Sequence, residues 1–269
     1  MKKSNLIIDK TLNTQGGDTG LKDFKIEILN PEEVKILFER WGRFAAKCYD
    51  TPLKFAERVG KSCLKSGHFS GSRTRYIEID VTDVPRALVD QIIRKEQGFV
   101  KNVESGRYVD FSEFEWYTSP LIAGIPEAKE IYDNHMLSTR ETYQKLVKIL
   151  NDHGITGERA FEAARGVSPM NYRTGMVIGM TIESFIDLCH KRLCVRTQEH
   201  SRHLMKLIRD AVLEIVPELK PYAVIQCEHL MWCPEGSKCC GYYPTKEEVE
   251  LKYKEIIKEC RKEKREVEK

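Results

Sequence analysis

The sequence predicts an α+β fold, a single domain with a central mixed or antiparallel sheet and long helices. Residues 23–29 and 75–81 alternate apolar and polar side chains, the period of a strand with one face buried. Elsewhere long stretches return apolar residues at helical spacing, and no internal repeat orders the chain.

The elements follow in order. Residues 11–22 are rich in Gly, Thr and Asn and mark 1–22 as a flexible leader. Pro31-Glu32-Glu33 opens a helix with a proline and two acids in its first turn, running to about Cys48. A second helix is expected from about Pro52 to Ser66. After the strand at 75–81, Asp83-Val84-Pro85 reads as a capped helix start leading to Gln91 and Arg94. Residues 107–119 are aromatic and β-prone. A long two-faced helix covers 126–151, a shorter one 157–165, and 174–181 reads as a buried strand. Helical spacing resumes from Ile182 to about Ile215. A cysteine-rich loop fills 227–244 and a charged helix closes the chain. The organisation expected is a leader at 1–22, a main domain at 23–244 and a C-terminal helix at 245–269.

Composition narrows the functional classes. The chain has 269 residues, enough for a substantial core, with 41% hydrophobic and 32% charged residues. Lys plus Arg number 44 and Asp plus Glu 41, so a general nucleic-acid binder is not expected. No apolar run is long enough to span a membrane, and the first ten residues lack the apolar core of an export signal. The expectation is a cytoplasmic protein whose nine cysteines are thiols or metal ligands before disulfides. Cys227, Cys233, Cys239 and Cys240, with His229, could supply zinc ligands. Their spacings do not match the short knuckles of common zinc sites, and no metal is expected.

Three segments concentrate groups that a plain core does not require. Gln91 and Arg94 stand three apart on the expected helix and can face one site. Glu104-Ser105-Gly106-Arg107 combines a turn, a hydroxyl and a guanidinium, which together suit an anion. Arg165 and Arg192 add two further donor forks of the kind that hold phosphates and carbonyls. Each arginine taken alone reads equally as a solvated charge on a helix face.

Taken in order, the segments resemble the flavin-dependent thymidylate synthase family (ThyX type). The residues that carry the resemblance are Cys48-Tyr49, Ser66-Gly67-His68-Phe69-Ser70, Val84 through Arg94, Glu104 through Asp110, and Ala164-Arg165-Gly166-Val167-Ser168-Pro169. Ser184-Phe185 through Arg192-Leu193-Cys194 to Gln198, Glu199 and Arg202 continue it. The tail from Cys227 to Gly241 looks like that of a bacterial and phage branch.

The resemblance implies dUMP as substrate, held in composite sites of a homotetramer. Gln91 and Arg94 match nucleotide-contacting positions. Glu104, Ser105, Gly106 and Arg107 match the loop that holds the phosphate from a neighbouring subunit. Arg165 and Arg192 match two further contacts, with Arg192 against the pyrimidine as the catalytic group, stabilising charge as C5 becomes nucleophilic. His68, Ser70, Lys95, Thr181 and Asp187 match the cofactor side. FAD, methylenetetrahydrofolate as co-substrate and NADPH are the implied reactants.

The cofactor side also departs from the family. Its Arg-His-Arg motif is Arg94-Lys95-Glu96 here, and Ser105 lies eleven positions after Arg94, one more than in the family, from an insertion within Gln97–Val103. A family glutamate is Arg73, an Asn-x-Arg is Thr181-Ile182-Glu183, and a later asparagine is Asp187. Arg73 and Glu183 are expected to form a charge-swapped ion pair. The nucleotide half is therefore expected to be kept and the flavin half rewritten. The implied default is dUMP to dTMP. The alternatives are folate-dependent hydroxymethyl transfer to dUMP or dCMP, and a nucleotide-binding homologue without turnover.

Overall fold

The computed structural model describes residues 24–267, so the leader expected at 1–22 lies outside the described residues. The chain runs β1 (Lys25–Ile28), α1 (Pro31–Lys35), α2 (Leu37–Cys48), α3 (Ala56–Lys65), β2 (Ile77–Pro85), α4 (Arg86–Ile92) and β3 (Phe99–Val103). It continues with α5 (Pro120–Ala123), α6 (Pro126–Asp152), α7 (Glu158–Ala164), β4 (Arg173–Met180), α8 (Ile182–Arg192), α9 (Glu199–Ile215), α10 (Gln226–Leu230) and α11 (Lys246–Val267). The strands form one four-stranded sheet in the order β1-β2-β4-β3. The α+β expectation stands. Among the described residues, no helix is long and apolar enough to cross a membrane.

Several boundaries move, each for a local reason. The helix expected from Asp83 begins at Arg86, because β2 continues through Pro85. The first helical N–H groups are then taken by another segment: Arg86 N donates to Tyr172 O (3.0 Å) and Ala87 N to Met170 O (2.8 Å). The aromatic stretch at 107–119 forms no strand; its one pairing is an isolated bridge from Trp116 to Tyr172. The Asp110 carboxylate accepts from Ser112 N (2.9 Å) and turns the chain there. The helical run from Ile182 divides into α8 and α9. In the break Thr197 Oγ1 donates to Lys191 O (3.0 Å), satisfying a carbonyl that a continued helix would have used. β3 occupies the stretch where the sequence showed only a loop insertion.

The chain folds as two compact units, where the sequence suggested one domain. The first comprises Thr82–Asp90 and Val103–Met176 with residues 24–25. Its core gathers Phe111, Phe114, Tyr143, Val147, Ala164 and Tyr172, with the Phe111 and Tyr172 rings 4.7 Å apart. The Tyr143 hydroxyl, fully buried, accepts from Phe111 N (3.3 Å), so the aromatic stretch is pinned to α6 by packing and by a hydrogen bond.

The second unit comprises Ile26–Val81, Gln91–Asn102 and the chain from Val177 onward. Ile77, Ile79, Phe185, Leu204 and Ile208 are buried within it. Its α2–α3 pair depends on two glycines. A Cβ on Gly42 would lie 1.6 Å from Ala56 O, and one on Gly60 would lie 2.0 Å from Phe38 O. Only glycine permits backbones to approach that closely.

Candidate functional site

In the first unit, the loop after β3 is fastened at its base. Glu104 N donates to Gly175 O (3.0 Å), and the Glu104 carboxylate accepts from Thr174 Oγ1 (3.0 Å) and Gly175 N (2.8 Å). Glu104, expected to touch substrate, thus uses one carboxylate oxygen to anchor the loop to β4. Beyond it the chain turns tightly: Tyr108 N donates to Ser105 O (2.9 Å) and Arg107 N to Ser105 Oγ (3.3 Å).

Gly106 is buried under this turn. A Cβ there would stand 2.9 Å from the Phe111 ring and 3.4 Å from Arg165 Cδ. The loop and the Arg165 stem are therefore neighbours, as the sequence required of two parts of one anion site. Arg165 follows α7 directly and is exposed. Arg107 lies 3.6 Å from both Glu158 and Glu162, and its guanidinium sits over the Tyr108 ring. These long, half-exposed ion pairs are weak enough for a phosphate to replace.

In the second unit, Gln91 is the centre of a polar cluster. Its Oε1 accepts from Ser201 Oγ (2.8 Å), its Nε2 donates to Gln198 Oε1, and the same nitrogen lies 3.5 Å from His200 Nε2. Burial pushes the His200 imidazole down from its usual range, with Glu199 opposing, so it is neutral at neutral pH. Arg192 closes α8, where a cation meets the negative end of the helix dipole, and its Nη2 donates to Gln91 O (3.4 Å). Arg192 Nε is buried and has no partner among the described residues. An unpaired buried N–H is costly and marks a donor awaiting an acceptor.

Gln91 and Arg94 do not share a helix face, because α4 ends at Ile92. Arg94 is exposed beyond that end. Gln198 belongs to the segments that carried the resemblance, whereas His200 and Ser201 are neighbours of Gln91 that the sequence did not single out. Polar side chains opening an amphipathic helix gave no signal without the fold.

The expected cofactor residues also lie in the second unit. Lys95 donates to Asp187 (2.7 Å), which also pairs with Lys191 (2.8 Å). Burial alone would raise the Asp187 pKa, but the hydrogen bonds from Lys191 and Lys95 outweigh it and hold the carboxyl below its ordinary 3.8. Thr181 caps α8, its Oγ1 accepting from Ser184 N (3.2 Å). Arg73 donates to both Glu183 oxygens (2.7 and 3.1 Å), the swapped pair the sequence suggested. His68 and Ser70 are exposed, with His68 Nδ1 3.3 Å from the Tyr49 hydroxyl.

Lys95, Lys191 and Arg73 each face a carboxylate of this chain. The Lys191 and Arg73 pairs are half-exposed, like those of Arg107, and a phosphate could replace them in the same way, so these residues could hold the phosphates of a flavin. Cys189 on α8 is fully buried, and burial pushes its pKa up to about 12, which argues against that thiol as a nucleophile.

Known proteins resemble this chain in sequence. The family model described as thymidylate synthase complementing protein matches residues 35–218, which hold every candidate residue above. The flavin-dependent thymidylate synthase of Nitratidesulfovibrio vulgaris is 32% identical over 189 residues, covering 70% of this chain and 77% of that protein. The enzyme of the same name from Clostridium tetani is 26% identical over 166 residues, 59% of this chain and 66% of its own length. With the arginine-bearing loop beside Arg165 and the Gln91–Arg192 cluster both inside the matched segment, the chain belongs to the thymidylate synthase complementing protein family.

Proposed function

We propose that this chain is a thymidylate synthase-like enzyme that modifies C5 of a dUMP-like nucleotide. The observation that carries the reading is the buried, unpartnered Nε of Arg192 beside the Gln91 cluster. A pyrimidine carbonyl is a fitting acceptor. When C5 becomes nucleophilic, charge collects on that oxygen, and a fixed guanidinium donor stabilises it. Ser105, Gly106, Arg107 and Arg165 supply the phosphate grip. Arg107 exchanges Glu158 and Glu162 for the phosphate through charge-assisted hydrogen bonds. Gln91, held by Gln198 and Ser201, keeps the Arg192 fork in place. The working assembly is a homotetramer with composite sites.

The relatives' name makes dTMP the default product and a flavin the default cofactor; methylenetetrahydrofolate as carbon donor and NADPH as reductant are what the family resemblance adds. The Lys95–Asp187 and Arg73–Glu183 pairs leave room for a second reading. Folate-dependent hydroxymethyl transfer to dUMP or dCMP requires no net reduction, and so no flavin in the usual pose. An absorbance scan of the purified protein, dUMP calorimetry and product analysis with labelled folate test both. Flavin absorbance with labelled dTMP supports the default; a colourless protein making a hydroxymethyl nucleotide supports the second. Binding of dUMP without any product overturns both in favour of a non-catalytic homologue, and no dUMP binding overturns the nucleotide assignment itself.

A further inference from the structure

The cysteines of the second unit converge. Cys194, Cys227, Cys233 and Cys240 line one cavity of about 640 Å³. They arrive from separate places: the turn after α8, the start of α10, a bridge to Thr245, and the segment that precedes α11. Cys227 and Cys233 are buried, and every cysteine is a free thiol. Cys239 lies against Cys233 and is also held by the backbone. Its Sγ donates to Tyr243 O (3.3 Å) and accepts from Gly241 N (3.3 Å), bracing the turn that presents Cys240. His229 stacks on His190, ring centres 4.6 Å apart.

We propose that Cys194, Cys227, Cys233 and Cys240 form a structural site for a soft divalent cation of the zinc class, which fastens the cysteine-rich tail to the turn after α8. Four sulfur donors from separate elements are the ligand set that such a cation prefers. Arg196, Lys206 and Lys220 line the same cavity and offset the negative charge of four thiolates around one dication. Among the described residues, no three potential ligands stand at metal-holding distance. The cation therefore draws the thiols inward on binding. Four S–H bonds are exchanged for four metal–sulfur bonds, and four protons pass to solvent. Cys233, Cys194 and Cys240 are the neighbours of Cys227 among the ionisable groups. Cys227, Cys233 and Cys240 lie beyond residue 218, where the family match ends, while Cys194 lies inside it, so the site would tie the tail to the matched segment.

The test is anaerobic titration of the reduced full chain with Co2+. The expected result is one cobalt per chain, with the near-ultraviolet sulfur-to-cobalt band and visible bands of a tetrahedral thiolate site, both displaced by Zn2+. Cys227→Ser and Cys240→Ser should each abolish that spectrum, while Cys239→Ser and Cys63→Ser should keep it. Elemental analysis of wild-type protein isolated without chelator reads the same site without relying on a variant that folds, and should show zinc near one per chain. Absence of the thiolate spectrum in the reduced wild type overturns the proposal. So does its persistence in Cys240→Ser, or its loss in Cys239→Ser, which would move the ligand to the wrong sulfur.

Discussion

Arg73 and Glu183 meet through two hydrogen bonds of 2.7 and 3.1 Å, although 110 positions separate them in the chain. This is the ion pair that the sequence led one to expect. A double-mutant cycle reads this directly. Arg73→Glu and Glu183→Arg should each lower the melting temperature slightly, and the double variant should recover most of the loss. Additive losses would show that the pair contributes nothing to stability. The effect should shrink in high salt, because Arg73 is half exposed.

Arg192→Lys keeps the charge and removes the Nε–H. Turnover should fall about 100- to 1,000-fold, the usual cost of losing one donor aimed at a developing oxyanion. The dUMP dissociation constant should change much less, which separates transition-state stabilisation from simple binding.

Arg107→Ala should weaken dUMP binding about ten- to a hundredfold, the scale of a lost hydrogen bond to a charged group. Glu162→Gln should act the other way and tighten binding by a few-fold, because it removes a competitor for the Arg107 guanidinium. Calorimetry on both variants checks the pair of signs together.

Asp187 makes stability pH-dependent in a defined direction. Its folded-state pKa is lowered below 3.8, so its contribution is fully present above the unfolded value. That contribution is lost as pH falls through the folded one. Urea unfolding between about pH 7 and pH 3 should show a loss on the acid side that is smaller in Asp187→Asn.

Gly42→Ala should destabilise by about 3 kcal/mol or more, since its Cβ would fall 1.6 Å from a backbone oxygen that cannot swing aside. The melting temperature of Gly42→Ala against a neighbouring surface alanine variant measures it.

Much of the fold was legible before the structure. β1, α6, α7 and β4 fall close to where periodicity placed them, because each writes its burial pattern into consecutive residues, and α11 falls where a charged helix was expected. β3 carried no such signal: only Phe99 of its five residues is buried, so period-two alternation never shows. The break between α8 and α9 was hidden for a different reason. No apolar residue occurs from Arg196 to His203, a gap that a solvent-facing helical turn would also show, and the Thr197 side chain satisfying Lys191 O marks the stop.

The site divides the same way. Residue types and their order, read through the family resemblance, nominated Gln91, Arg107, Arg165 and Arg192 and an altered charge pattern on the expected cofactor side. The sequence could not say what those charges do to one another. Tertiary structure decided that Lys95 and Arg73 pair with Asp187 and Glu183, that Glu104 anchors its own loop, and that Arg192 retains a buried donor without a partner among the described residues. It also brought four distant cysteines to one cavity, where sequence spacing had argued against a metal. The physical reason is common to all of these. Helix and strand periods are local properties of the chain, whereas ion pairs, orphaned donors and ligand sets depend on distances between residues that only folding makes neighbours.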